Sequence, residues 1–223
     1  MSTVFVTATG TGVGKTFVTA RLVEELRAAR RSVLALKPVA SGFDADNVAE
    51  TDTGVLLDAL GLDATAANLD ALSPWRFSAP LSPDMAAARE RRRLPFSDLV
   101  EFCREPRPAD VTLIEGIGGV MVPLDDTHTV LDWIAELRAP VLLVAGSYLG
   151  TLSHTLTAIA ALRARAVELA AIIVSESEQQ PVPLEETTQT LRRFAGPVAA
   201  IALPRHSGTT RLLPLLAPLF QAA

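Results

Sequence analysis

The sequence predicts an α/β fold built on a doubly wound, mostly parallel sheet, and three observations carry that expectation. Six short apolar runs recur along the chain: "VFVTA" (4–8), "SVLAL" (32–36), "VTLIE" (111–115), "VLLVA" (141–145), "LAAIIV" (169–174) and "VAAIA" (198–202). Helical patterns separate several of them, and small or polar residues collect directly after each one. A strand that is apolar at successive positions is buried on both faces, which is the condition of a parallel sheet covered by its own crossover helices.

Taken in order, the first run leads through "TATGTGVGKTF" into a helical pattern in which Val18, Leu22 and Leu26 repeat every four residues. The second run ends on Lys37-Pro38, and Pro38 biases Lys37 toward extended backbone, so an ammonium is expected at the strand's carboxyl end. From Ser41 to Arg107 the pattern is less regular, with two or three helical pieces separated by "SPWRFSAPLSP". The third run ends on Glu115. After it, Asp125, Asp126 and His128 precede the helical run "VLDWIAEL" and read as a turn plus helix cap. The fourth run leads into "GSYLGTLSH" and a stripe of Leu152, Leu156 and Ile159. "RERRR" at Arg89 to Arg93 reads as a solvated helix end. The tail "LLPLLAPLF", broken by Pro214 and Pro218, is expected to dock onto the core. No repeat and no linker divides the chain, so a single domain over 1–223 is expected.

Composition narrows the function. A chain of 223 residues, 49% hydrophobic, can bury a full core, and its net charge of −5 supplies no positive field for nucleic acid or an anionic membrane. No apolar run is long enough to span a bilayer and no basic leader opens the chain, so a cytoplasmic protein with no membrane partner is expected. The lone Cys103 reads as a buried bystander thiol. Neither His154 nor His206 has a Ser or Cys partner arranged for nucleophilic catalysis.

Open parallel sheets bind ligands beyond the carboxyl ends of their strands, so the chemistry is expected in the segments after the six runs. In the first, Gly10, Gly12 and Gly14 give backbone freedom, Lys15 a charge for bridging and terminal phosphates, and Thr16 a hydroxyl for Mg²⁺, between a strand and a helix N-terminus. This is a phosphate loop, although Thr9 stands where the strict GxxxxGK[ST] pattern has glycine. Lys37 adds a second cation, and Ser41-Gly42 a turn with a hydroxyl. Glu115, followed by Gly116, Gly118 and Gly119, fits a carboxylate that holds Mg²⁺ on a nucleotide. Asp52, at a helix start, reads equally as an N-cap or a third oxygen ligand.

With those pieces in place, the sequence resembles the dethiobiotin synthetase family. The likeness rests on "TGTGVGKT", "KPVASG", the Phe77 to Pro83 segment, "EGIGG", the Pro123 to Trp133 segment and "YLGTLSH", in family order, and runs to about His206. The resemblance implies a P-loop NTPase-like homodimer that uses ATP and Mg²⁺ to join CO2 to 7,8-diaminononanoate, through a carbamate and a carbamic-phosphoric anhydride, and to close a ureido ring. It implies that the nucleotide is held by Gly12, Val13, Gly14, Lys15, Thr16, Phe17, Asp52, Glu115, Gly116, Ile117, Gly118, Ser175, Glu176, Pro204, Arg205 and His206. Thr16, Asp52 and Glu115 would ligate the metal, and Lys15 and Lys37 would serve catalysis. Ser41 would bind substrate, and Gly150, Thr151, Leu152 and Ser153 would offer helix-start donors to the substrate carboxylate of the neighbouring subunit.

Several positions depart from the family pattern. Gly12 stands where many members carry glutamate, Ala8 where many carry glycine, Ser153 where asparagine is frequent, and Asp84 where histidine is common. Ser175-Glu176 replaces Asn-Asp, the asparagine being the residue that hydrogen-bonds adenine. A serine cannot present both the donor and the acceptor of an amide, so weaker discrimination among ATP, CTP and GTP is expected. The rival from another class is a ParA/MinD-like ATPase switch that binds a protein partner. It usually carries an early second lysine in its loop, where this chain has Gly10, and a basic membrane helix that is not evident here. A cobyrinate-type amidotransferase module would need an attached glutaminase, for which 223 residues leave no room.

Overall fold

The structure is a computed structural model that describes residues 2–105, 107–205 and 210–220. The chain opens with strand β1 (Ser2–Ala8), helix α1 (Lys15–Ala28) and strand β2 (Val33–Leu36). A smaller section follows: β3 (Val39–Ser41), a 3-10 turn at Val48–Glu50, α2 (Asp52–Leu60), α3 (Ala66–Leu72), β4 (Trp75–Phe77), α4 (Pro83–Arg89) and α5 (Phe96–Arg104). Alternation then resumes with β5 (Val111–Glu115), α6 (Val130–Leu137), β6 (Val141–Ala145), α7 (Thr151–Ala164), β7 (Leu169–Ser175), α8 (Leu184–Phe194), β8 (Ala199–Leu203) and the short α9 (Leu212–Leu215).

All six apolar runs become strands of one parallel sheet in the order β2-β5-β1-β6-β7-β8. Because β5 and β2 lie on one side of β1 and β6, β7 and β8 on the other, the carboxyl end of β1 is the switch point where such sheets open a crevice. Register sets the depths there: Val6 lies opposite Glu115 and Leu142, so Glu115 ends beside the last residues of β1.

The alternation of side chains along β1 divides the core in two. Val4, Val6 and Ala8 face α1, α2 and the C-terminal tail. Phe5 faces the other way and meets the buried Trp133 of α6 edge-on, with ring centroids 4.8 Å apart. Leu212, Leu216 and Phe220 are buried against the α1 face, so the tail docks as expected.

Three expectations are corrected. The 41–107 region holds four helices and a second, two-stranded parallel sheet, in which Val39–Ser41 pairs with Trp75–Phe77, where two or three helical pieces were expected. The stripe of Leu152, Leu156 and Ile159 is not the buried face of α7: that face carries Thr151, Thr155, Ala158, Ile159 and Leu162, and Leu152 is exposed. The threonines sit inside because their hydroxyls donate to backbone carbonyls, Thr151 to Gly146 O and Thr155 to Thr151 O, each at 2.7 Å. Arg92 is not merely solvated: its guanidinium lies 4.7 Å over the Phe77 ring.

Candidate active site

The loop between β1 and α1 begins as the Thr9 N–H donates to Val144 O at 2.9 Å, tying it to β6. Gly14 ends it as the N-cap of α1 with φ 92°, and a Cβ there would stand 2.6 Å from the Ser175 Oγ of β7. Backbone conformation and the neighbouring strand both exclude a larger residue. The first turn of α1 holds no acidic side chain, so the positive end of the helix is left open to an anion.

Lys15, the first residue of that helix, is 8% exposed, yet its ammonium makes no hydrogen bond or ion-pair contact among the described residues. Burial foremost, with repulsion from Lys37 behind it, lowers its pKa to about 8. Glu115 and Asp52 act on this buried cation only through space, and among the described residues no anion touches it.

Lys37 is the opposite case. It follows β2 at a depth where it is 1% exposed, and its Nζ lies 2.7 Å from Glu115 Oε1, 2.9 Å from Asp52 Oδ2 and 3.0 Å from the Gly116 carbonyl. Burial alone would lower its pKa, but the charges of Glu115 and Asp52 and their hydrogen bonds raise it above the usual lysine value. The same contacts act on Asp52: burial would raise its carboxyl, while Lys37, Lys15 and the Thr16 hydroxyl together hold it at about 2. Asp52 is not the N-cap of α2. Thr51 caps that helix by accepting from the Gly54 N–H, which leaves the Asp52 carboxylate to turn toward Lys37.

The Thr16 hydroxyl lies 2.8 Å from Asp52 Oδ1 and 2.7 Å from Glu115 Oε1. One hydroxyl proton satisfies only one of those oxygens, and Glu115 Oε2 is buried with no partner at all. Thr16, Asp52 and Glu115 therefore form an oxygen set of the kind a hard divalent cation takes. No group of three or more His, Cys, Asp or Glu side chains gathers as a metal cluster among the described residues. At the Asp125 turn, Asp125 accepts from the backbone N–H groups of Thr127 and His128, and the cap of α6 is Thr129, reciprocated by Asp132.

Two cavities flank the glycine loop and share Thr11, Gly12 and Gly14 as a common wall. One, of about 700 Å³, is lined by Lys15, Thr16, Phe17, Lys37, Ser41, Asp52, Ile117 and Gly118, and by Gly42, Pro80 and Ser82. The other, of about 570 Å³, is lined by Val13, Ser175, Glu176 and Arg205, and by Tyr148, Ser177 and Gln179. Glu115 and Gly116 lie buried behind the first. Pro204 is half-buried outside both linings, and His206 lies outside the described residues. Gly150, Thr151, Leu152 and Ser153 line neither cavity; Gly150 caps α7 with φ 99°, and the Thr151 N–H is already given to Tyr148 O at 3.1 Å. Tyr148 carries no role in the sequence reading beyond opening "YLGTLSH", and Ser177 and Gln179 carry none either; their position immediately after β6 and β7 was the signal.

Chemically, this crevice offers two buried ammoniums, an open helix N-terminus and a carboxylate pair at one end, and a separate compartment beyond the loop. A family model described as an AAA domain matches residues 2–212. The chain is 51% identical over 201 residues to the ATP-dependent dethiobiotin synthetase BioD of Acidiphilium cryptum, covering 88% of this chain and 89% of that one. It is 48% identical to the protein of the same name from Methylobacterium nodulans, covering 93% and 95%. Among solved structures it is similar in fold to the septum site-determining protein MinD of Pyrococcus horikoshii complexed with Mg-ADP. That match has TM-score 0.54 and 16% identity, and covers 98% of this chain and 84% of that one. A nucleotide-binding protein of Archaeoglobus fulgidus in complex with ADP gives TM-score 0.53 at 14% identity, covering 98% and 85%. The chain belongs to the dethiobiotin synthetase family.

Proposed function

We propose that this protein is an ATP-dependent dethiobiotin synthetase, a single-domain enzyme that carboxylates 7,8-diaminononanoate with CO2 and closes the ureido ring. The observation that carries the reading is the buried, unpartnered Lys15 ammonium at a glycine loop, beside the Lys37, Asp52 and Glu115 cluster. Phosphates supply the anion that Lys15 lacks, with Gly12, Val13, Gly14 and the open end of α1 giving backbone donors. Thr16, Asp52 and Glu115 fit Mg²⁺, which when bound neutralises charge on the phosphates. Ile117, Gly118 and Phe17 close the phosphate cavity, and Ser41 and Ser82 sit where the diamine's reacting end enters. Ser175, Glu176 and Arg205 surround the base, with Pro204 next in the chain; His206, which the family likeness also assigns to the nucleotide, lies outside the described residues.

The reaction divides into three balanced steps. One amine of the substrate attacks CO2, forming a C–N bond and releasing a proton, to give a carbamate. A carbamate oxygen attacks the γ-phosphorus and ADP leaves. The second amine attacks the carbamoyl carbon, phosphate leaves with its oxygen, the attacking amine gives up a proton, and the ring closes. No side chain acts as a nucleophile. Lys37, held by two carboxylates at the strand end, places positive charge beside the carbamate and the transferring phosphoryl group, and Lys15 does so for the leaving ADP.

The family likeness assigns the substrate carboxylate to Gly150, Thr151, Leu152 and Ser153 of a partner copy; Gly150, Leu152 and Ser153 are exposed on their own chain, while Thr151 is buried and positions the helix start. Leu149 at 84% exposure, with Leu152 three residues on also exposed, supports a homodimer through this face. Among the described residues no helix is long and apolar enough to cross a membrane; we place the enzyme in the cytoplasm.

The test incubates the protein with diaminononanoate, labelled bicarbonate, Mg²⁺ and each nucleoside triphosphate in turn. Labelled dethiobiotin is the expected product. Nucleotide hydrolysis without it would favour the partner-binding switch, for which only the fold-level likeness to MinD speaks. Comparable kcat/KM with ATP, CTP and GTP is expected from Ser175; an ATP preference of about 100-fold, roughly 3 kcal/mol, would overturn that part.

A further inference from the structure

We propose that Tyr148 is the aromatic wall of the nucleobase compartment, a stacking residue that holds the base by its flat face without reading its edge. Its ring lines the cavity of about 570 Å³ on the side of the glycine loop away from Lys37, and also lines the surface hollow next to it. It therefore stands at the rim of the compartment.

Two contacts hold the ring, and a clasp on the preceding residue anchors its backbone. Gly146, two residues earlier, supplies the space it lies in: a Cβ there would meet Tyr148 Cδ1 and Ser177 Oγ, both at 2.7 Å. Ser147, the residue between them, is clasped to the loop after β7. The Ser147 N–H donates to Ser177 Oγ and the Ser177 N–H donates to Ser147 Oγ, each at 2.9 Å, and the Ser147 hydroxyl donates to Gln180 Oε1 at 2.9 Å. Finally, the Tyr148 hydroxyl lies 2.8 Å from His154 Nδ1 on α7. Backing, flank and tip are all held, so the ring meets a ligand with its rotamer already chosen, and little ordering cost remains for binding.

Among the described residues, the rest of the compartment's lining offers no aromatic ring. Glu176 is engaged with the Arg205 N–H and Gln180, Arg205 with Glu178, and the Ser175 hydroxyl is packed under Gly14. A buried serine packed under the loop leaves the base edge weakly read, while every base has a π face. Stacking on an aromatic ring contributes about 1–3 kcal/mol per base and tolerates any base. The proposal rests on the nucleotide reading above and adds the residue that gives the base affinity without selectivity.

The test reads binding alone. Calorimetry with Mg²⁺ measures Kd for ATP, GTP, CTP and inorganic tripolyphosphate on the wild type, Tyr148→Ala and Tyr148→Phe. Tyr148→Ala is expected to weaken all three nucleotides by about tenfold, the lower part of the stacking range. It should leave tripolyphosphate, which has no base, unchanged, and so report that the loop is still folded. Tyr148→Phe, which keeps the ring and loses the His154 contact, is expected to bind all four ligands as the wild type does. Equal loss of tripolyphosphate in Tyr148→Ala, unchanged ATP binding in it, or a loss in Tyr148→Phe as large as in Tyr148→Ala overturns the proposal. Because no turnover is read, a wild type that binds nucleotide but forms no dethiobiotin would refute the synthetase reading and leave this test standing.

Discussion

Lys37→Met removes the ammonium from the carboxylate cluster while filling most of the space of a side chain that is among the largest fully buried ones. What remains is Glu115, fully buried, with its Oε1 stripped of a 2.7 Å ion pair and its Oε2 already without a partner. At an effective dielectric of 20, a unit pair at that distance attracts by about 6 kcal/mol, part of which the desolvation of the lysine offsets. Breaking a buried pair from one side costs about 3–5 kcal/mol. Asp52, whose side chain is 49% exposed, recovers water and adds little. A loss of about 4 kcal/mol in a chain of this size corresponds to a Tm lower by about 10 °C. Thermal unfolding followed by circular dichroism, without nucleotide or metal, measures it, and turnover in the same preparation is expected to vanish. Adding Glu115→Gln removes the orphaned charge and is expected to return most of the lost Tm without restoring activity. An unchanged Tm in Lys37→Met, or a double variant less stable than the single, would refute the reasoning; near-normal turnover would overturn the role of Lys37.

Two further outcomes come from outside the cavities. A Cβ on Gly54 would stand 2.0 Å from Val48 O and 2.9 Å from Ala49 Cα, so Gly54→Ala must displace the start of α2 and the Asp52 it carries. Overpacking of this kind costs about 3 kcal/mol, and both Tm and kcat are expected to fall; a variant with wild-type values would show that the helix start is not fixed there. The Cys103 thiol is pushed up to about 12, chiefly by burial. An acid whose folded pKa is raised contributes stability that is fully present below the unfolded value and is lost as pH rises through the folded one, so this contribution holds below about pH 9. Thiol labelling at pH 8 is therefore expected to be slow in the native protein and fast in urea, whereas rapid native labelling would contradict the burial.

What was legible in the sequence followed from continuous patterns. The six apolar runs became the six strands of the main sheet because a strand buried on both faces needs no partner information to be recognised. Lys15, Thr16, Lys37 and Glu115 were legible because they stand at or shortly after the carboxyl ends of apolar strands. The α7 face was not, since Thr151 and Thr155 hide their hydroxyls in backbone bonds and look polar on paper. The small β3–β4 sheet was hidden for another reason, as it joins Val39 to Trp75 through two helices. Asp52 was half-read: Thr51, one residue earlier, takes the cap and frees the carboxylate for Lys37. Tyr148 stood in the "YLGTLSH" segment without a role, because the Ser147–Ser177 clasp that positions it joins loops 30 residues apart whose meeting depends on the adjacency of β6 and β7.

The central claim is that a carbamate oxygen of the substrate receives the γ-phosphoryl group. Heavy-oxygen-labelled CO2, supplied with diaminononanoate and Mg-ATP in a single rapid turnover in ordinary water, tests it directly through mass analysis of the released phosphate. Transfer to the carbamate predicts phosphate carrying one labelled oxygen, formed in step with dethiobiotin. Phosphate carrying only solvent oxygen, with the residual CO2 still labelled, would mean that water attacked the nucleotide and would contradict the account.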